Sequence, residues 1–212
     1  MTKPILGIHH VTAIATDPQR NLDFYTEVLG LRLVKRTVNF DDPGTYHFYF
    51  GDEIGSPGTI LTFFPWPNAG RGSSGIGQTT VTSFSVPEHS LPYWEARLRS
   101  AGVPAERAGK RFSEEVLTFA DPDGLKLEIV AHAGARRVQV WAGTDVPVEH
   151  SIRGFHSVTL SERKMEPTMK TLETMGFRKV GEAGNRFRYE VGNGCYVPVA
   201  AVEQRQNIHT GT

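Results

Sequence analysis

The residues best equipped for chemistry stand near the start, in "GIHHVTAIA", where His9 and His10 sit side by side ahead of a branched apolar run. An imidazole can ligate a metal, carry a proton near neutral pH or simply hydrogen-bond in a core. A strand alternates its faces, so His10, Thr12 and Ile14 share one side, and His9, Val11 and Ala13 the other. The phrase returns as "GFHSVTLSE", in which His156 matches His9 and Ser157 replaces His10. The histidine kept in both copies therefore reads as structural, bonded to helix or backbone groups; the one that varies reads as the ligand candidate. His47 and Tyr49 share a face of "TYHFYFG", where they either touch a substrate or pack. Glu128, in "LKLEIVAH", shares a face with Lys126 and Val130, and a salt bridge or rim charge is expected there over a ligand. His132 and His150 fall in linkers and read as solvated. Cys195, the only cysteine, lies in "GNGCY" and reads as a turn or strand residue, leaving no disulfide framework and no multi-cysteine zinc site.

These side chains need elements to hold them, and the elements repeat. The strand-like "IHHVTAIA" precedes an amphipathic stretch, "RNLDFYTEVLG", with Leu22, Tyr25, Val28 and Leu29 at helical spacing and Gly30 as a stop. Then come "LRLVKRTV", "TYHFYFG" and "GTILTFFPW", divided by turn formers. The order β-α-β-β-β recurs from "QTTVTSFSV" and again from Phe155. It predicts an α+β fold of tandem βαβββ modules, with mixed sheets curled into cups and helices outside. The expected modules are 1–67, 78–133 and 154–203, with 204–212 the stub of a fourth. In the second, "DPDG" is a hairpin turn in which Pro122 presets φ and Gly124 supplies the permissive backbone. "PNAGRGSSGIG" and "HAGARRVQVWAGTDVPVEHSI" read as linkers, the latter with an apolar run that adds a short strand or packs as a strap.

The bulk numbers exclude several classes. Lysine plus arginine number 23, as do aspartate plus glutamate, so no net field draws nucleic acid or anionic membranes. No apolar run approaches a membrane span, and the start lacks a secretory apolar core. "GRGSSGIG" lacks the Lys-Ser/Thr ending of a phosphate loop. A cytoplasmic setting is expected.

The tandem modules, "HHVT" opening one and "DPDGLKLE" closing another, resemble the vicinal oxygen chelate superfamily of glyoxalases, bleomycin-resistance proteins and extradiol dioxygenases. More narrowly, "GIHHVTAIATDPQRNLDFYTEVLGLRLVKRTVNFDDPGTYHFYFGDEIGSPGTILTFFPWP" resembles its hydroquinone-type ring-cleaving branch. The resemblance implies an Fe(II)-dependent dioxygenase of four modules, acting on a hydroquinone- or catechol-like diol and O₂, with iron on two histidines and a glutamate. Its first ligand falls on His10, and His47 and Tyr49 fall in the substrate cup. The other two ligands belong to a fourth module, of which the chain shows only "NIHTGT"; there His209 aligns with His9 and Thr210 with the metal position. Little or no activity is therefore expected of the chain as written, and an uncovered sheet face predicts a homo-oligomer, a dimer. Two other readings remain open: a non-catalytic protein that binds small aromatic molecules in the same cups, and an isomerase with metal ligands from two chains.

Overall fold

The computed structural model describes residues 5–70, 72–135 and 138–192, and the backbone of 199–204. Cys195, His209, Thr210 and the "NIHTGT" segment lie outside the described residues. Strands β1 (His10–Ala15), β2 (Arg32–Val38), β3 (Tyr46–Gly51) and β4 (Ile60–Pro65) form a four-stranded sheet in the order β1-β4-β3-β2. Only the β1–β4 pair is parallel.

Helix α1 (Pro18–Asp23) begins where the Asp17 carboxylate accepts the Arg20 N–H and Pro18 occupies the first turn. It continues as a π-helical turn, Phe24–Val28, in which the Leu29 N–H reaches back five residues to the Phe24 carbonyl. Two adjacent aromatic side chains, Phe24 and Tyr25, are consequently both buried. The Tyr25 ring packs 4.7 Å from Phe63 and 5.2 Å from Phe50, and its hydroxyl donates to Asp121 at 3.0 Å.

The remaining strands make one eight-stranded sheet: β5 (Gln78–Pro87), β6 (Ala105–Arg111), β7 (Glu114–Ala120), β8 (Lys126–His132), β9 (Phe155–Glu162), β10 (Arg178–Ala183), β11 (Arg186–Glu190) and β12 (Val199–Gln204). Its order is β10-β11-β12-β9-β5-β8-β7-β6. Each half thus repeats the first sheet's arrangement, and the two halves join where β5 and β9 pair antiparallel. Helix α2 (Leu91–Ser100) lays Leu91, Trp94 and Leu98 on one face of this sheet, against Phe84, Leu117 and Ile129. That spacing is one apolar helical stripe. Helix α3 (Glu166–Thr174) packs Leu172 with Met165 and Tyr189 in a smaller core.

The segment between β8 and β9 is a strap. The Glu53 N–H donates to the Gln139 carbonyl, Arg32 lies 5.1 Å over the Trp141 ring, and Val146 enters the main core. Residues 138–141 join no strand. Gly30 has φ +68°, and a Cβ there would stand 2.6 Å from Val146 Cγ2, so the strap requires glycine at the end of the first helical segment. Among the described residues, no helix is long and apolar enough to cross a membrane.

Candidate functional site

Two polar faces gather five of the described histidines: His9, His10, His47, His132 and His156. The first is the open face of the four-stranded sheet. Register places Thr12 opposite Thr62, their hydroxyls 2.9 Å apart, and Tyr49 opposite Thr62 on the other flank. The Tyr49 hydroxyl lies 3.0 Å from His47 Nδ1, and the His47 ring centre stands 4.0 Å from that of Phe64. His10, two residues before Thr12, shares this face and is exposed, with Nδ1 3.2 Å from His9 Nδ1. Burial, then the nearby charges of Lys35 and His10, push the His47 imidazolium pKa down, so His47 is neutral at physiological pH. Among the described residues its buried Nε2 has no partner. The structure therefore brings His10, His47 and Tyr49 onto one surface floored by an aromatic ring. Among the described residues, no trio of histidine, cysteine, aspartate or glutamate donors includes His10.

The second is the inner face of the eight-stranded sheet. Arg111 and Glu114 face each other across a two-residue turn, Phe112-Ser113, whose φ values are +50° and +73°. A tight hairpin demands positive φ at both central positions, and neither residue here is glycine. Arg111 donates to Glu128 at 2.5 Å, and Ser83 donates to the same carboxylate at 2.8 Å. Glu128 is 5% exposed. It is a buried ion pair, as the salt-bridge expectation held, but its partner lies across the sheet rather than at Lys126, and it is no rim charge.

Glu114 is the hub of the other cluster. Arg188 donates to its Oε2 at 2.5 Å, His156 Nε2 lies 3.3 Å from its Oε1, and His132 Nδ1 stands 3.9 Å from the same oxygen. The far nitrogens are held by serines: His132 Nε2 is 2.8 Å from Ser85 Oγ, and His156 Nδ1 is 3.0 Å from Ser157 Oγ. Burial pushes Glu114 up, but the hydrogen bonds and charges of His156 and Arg188 prevail and hold its pKa at about 2. Burial, then the positive charges around it, lowers His132 to about 4 against the pull of Glu114.

This cluster corrects two sequence readings, and a third falls elsewhere. His156 was expected on the face opposite Ser157. The pairing of β5 with β9 shifts instead, setting Ser83 against Ser157 and Phe84 against Phe155. The extra residue is a β-bulge, so Phe155 enters the core while His156 and Ser157 both bond on the inner face. His132 is the last residue of β8, not a solvated linker position, and its side chain is 16% exposed. His150 does lie between strands, but its ring stacks 4.5 Å from Tyr93 and bonds Ser90. Glu114 was missed altogether: the three residues come from three strands, and no sequence spacing links them.

Residues 7–129 match the Glyoxalase/Bleomycin resistance protein/Dioxygenase superfamily. The chain belongs to this superfamily. Within it, the chain is 48% identical over 198 residues to MhqO of Bacillus subtilis, provisionally named a ring-cleaving dioxygenase, which covers 91% of this chain and 63% of that protein. It is 34% identical over 210 residues to the chlorohydroquinone/hydroquinone 1,2-dioxygenase of Sphingobium indicum, covering 97% and 65%. A crystal structure of a provisionally named Bacillus subtilis dioxygenase superposes with a TM-score of 0.90 at 45% identity, over 96% of this chain and 65% of that one. Maize glyoxalase I, 15% identical with a TM-score of 0.66 over 95% of this chain and 68% of that one, shares the fold. The chain thus spans a little under two thirds of the length of the dioxygenase-named relatives. Its mixed sheets and few helices are the α+β architecture of this superfamily.

Proposed function

We propose that this chain belongs to an Fe(II)-dependent ring-cleaving dioxygenase that acts on hydroquinone- or catechol-like diols with O₂ on the open face of the first sheet. The observation that carries this reading is the convergence of His10, His47 and Tyr49 on one exposed surface. The names of the relatives, which specify ring cleavage and hydroquinone, support the substrate class. Held at this face, iron would supply the Lewis-acid and redox chemistry of ring cleavage. His10 is the residue offered to it here. The described neighbours do not complete a three-donor site around His10.

What the chain's own residues do is clearer. Phe64 and Tyr49 offer ring faces to an aromatic guest, at the half-buried His47 between them. In the tautomer that carries its proton on Nε2, neutral His47 accepts a hydrogen bond from the Tyr49 hydroxyl at Nδ1, leaving the Tyr49 oxygen free to accept from a ring hydroxyl. That relay lets a diol proton leave the ring as the oxygen acquires charge. The space bounded by Glu114 and His156 on the larger sheet is about 20 Å³, room for one water and too small for the ring. A reducing cytoplasm suits Fe(II). The outer edge of β1 has no strand partner among the described residues, and β5 pairing with β9 shows how first strands meet, so a second copy is the proposed occupant of that edge.

The test is dioxygen uptake by iron-reconstituted protein with hydroquinone, in which the chain as written should show at most weak turnover, because no three-donor site around His10 is complete among the described residues. His10→Ala should abolish uptake without lowering thermal stability, because the side chain is exposed. Tyr49→Phe should slow it about 10²-fold, the usual worth of a positioned proton carrier. Undiminished turnover in His10→Ala removes the proposal.

A further inference from the structure

We propose that Glu114, His132 and His156 form a separate site for one divalent transition-metal ion of the zinc class, clasping the β7–β8 hairpin to β9. Two imidazoles and a carboxylate are a ligand set that zinc takes readily, with a position left for water. Around a tetrahedral ion with ligands near 2.0–2.1 Å, donor atoms stand roughly 3.3–3.5 Å apart. Here Glu114 Oε1 is 3.3 Å from one imidazole nitrogen and 3.9 Å from the other, and all three donors lie within 4.8 Å of one another. Small side-chain adjustments would close the triangle.

The surroundings are those of a prepared site. In the tautomers where Ser85 and Ser157 accept from the far nitrogens, both near nitrogens turn lone pairs toward Glu114 Oε1. Without an ion a proton on His156 Nε2 bonds Glu114 Oε1; an arriving cation displaces that proton and takes all three donors. Metal-bound histidines are commonly oriented by such a contact at the opposite nitrogen. Arg188 bonds Oε2 and leaves Oε1 for the ion, and it is itself stacked 4.3 Å over Phe112. Phe112 and Ser113 hold left-handed backbone conformations that L side chains rarely adopt. That strained turn delivers Glu114 to the head of β7. About 20 Å³ of space accommodates an ion or a water but no aromatic ring, so the role is structural and stands apart from ring cleavage.

The chain stripped with chelator and titrated calorimetrically with Zn²⁺ should take up one equivalent at this site. Glu114→Gln and His132→Asn should each weaken binding by at least about 10²-fold, and Ser85→Ala by about 10-fold through the loosened imidazole. His10→Ala should leave this equivalent intact. Melting of the metal-free variants by circular dichroism separates lost ligation from lost folding. Because Ser85→Ala removes no ligand, it keeps the test valid if Glu114→Gln unfolds. Absence of saturable Zn²⁺ uptake by the unmutated chain overturns the proposal, as does uptake that His132→Asn spares and His10→Ala removes.

Discussion

Replacing Glu128 by alanine tests whether this carboxylate is a buried structural charge, as the geometry has it, or a ligand. In the native fold Glu128 Oε1 accepts from Arg111 at 2.5 Å and Oε2 accepts from Ser83 at 2.8 Å. The side chains are 7% and 25% exposed for Glu128 and Arg111. Removing one partner of a buried ion pair costs about 3–5 kcal/mol, because the survivor's charge is left without compensation. Arg111 keeps a quarter of its surface, so water can reach it, and the lower end applies: about 3 kcal/mol. In a chain of this size each kcal/mol moves the midpoint by about 2–4 °C, so Tm should fall by about 6–12 °C. Replacing both Arg111 and Glu128 with leucine should recover most of this loss, since an apolar pair of similar volume leaves no charge stranded. Calorimetric melts of the single and double variants, with Zn²⁺ titrations alongside, provide the readout. A single variant that melts within about 2 °C of the parent, or one that loses Zn²⁺ uptake while keeping its Tm, refutes the assignment.

Two other changes probe how the first sheet is fastened to the second. Burial, then the charge of Asp121, raises the Tyr25 phenol pKa well above its usual value. The folded chain therefore keeps this proton at a pH where the unfolded chain has lost it. Tyr25 should cost the fold about 1.4 kcal/mol for each pH unit above about 10. Tyr25→Phe should lose about 1–2 kcal/mol at neutral pH, where Asp121 forfeits a hydrogen bond, and show a shallower alkaline decline in urea unfolding. Parallel alkaline slopes for the two proteins would refute this. Gly30→Ala combines a left-handed backbone penalty with a methyl group forced against Val146 and Thr144. It should destabilise by about 2–4 kcal/mol, read as a lowered urea midpoint with unchanged slope.

Much of the architecture was legible because hydrophobic period and turn chemistry change together at each boundary. "DPDG" shows the turn working as read: Asp121 Oδ1 accepts the N–H groups of Asp123 and Leu125, and Gly124 has φ +88°. The stripe Leu91, Trp94 and Leu98 announced α2 in the same way. Elsewhere local rules failed. A regular helix was expected through "DFYTEV", where a π-helical turn lies. Simple alternation put His156 with the core, where a bulge turned it inward.

The sequence alone determined the repeating β-α-β-β-β order, the superfamily resemblance and the shared strand face of His47 with Tyr49, because these follow from periodicity and short-range geometry. Tertiary structure decided which strands meet, and with that which donors converge. Glu114, His132 and His156 become neighbours only when β5 joins the β7–β8 hairpin to β9 in one sheet, with a one-residue slip between β5 and β9. A register between distant strands is set by the packing of both sheet faces together, and no local stretch of sequence encodes it.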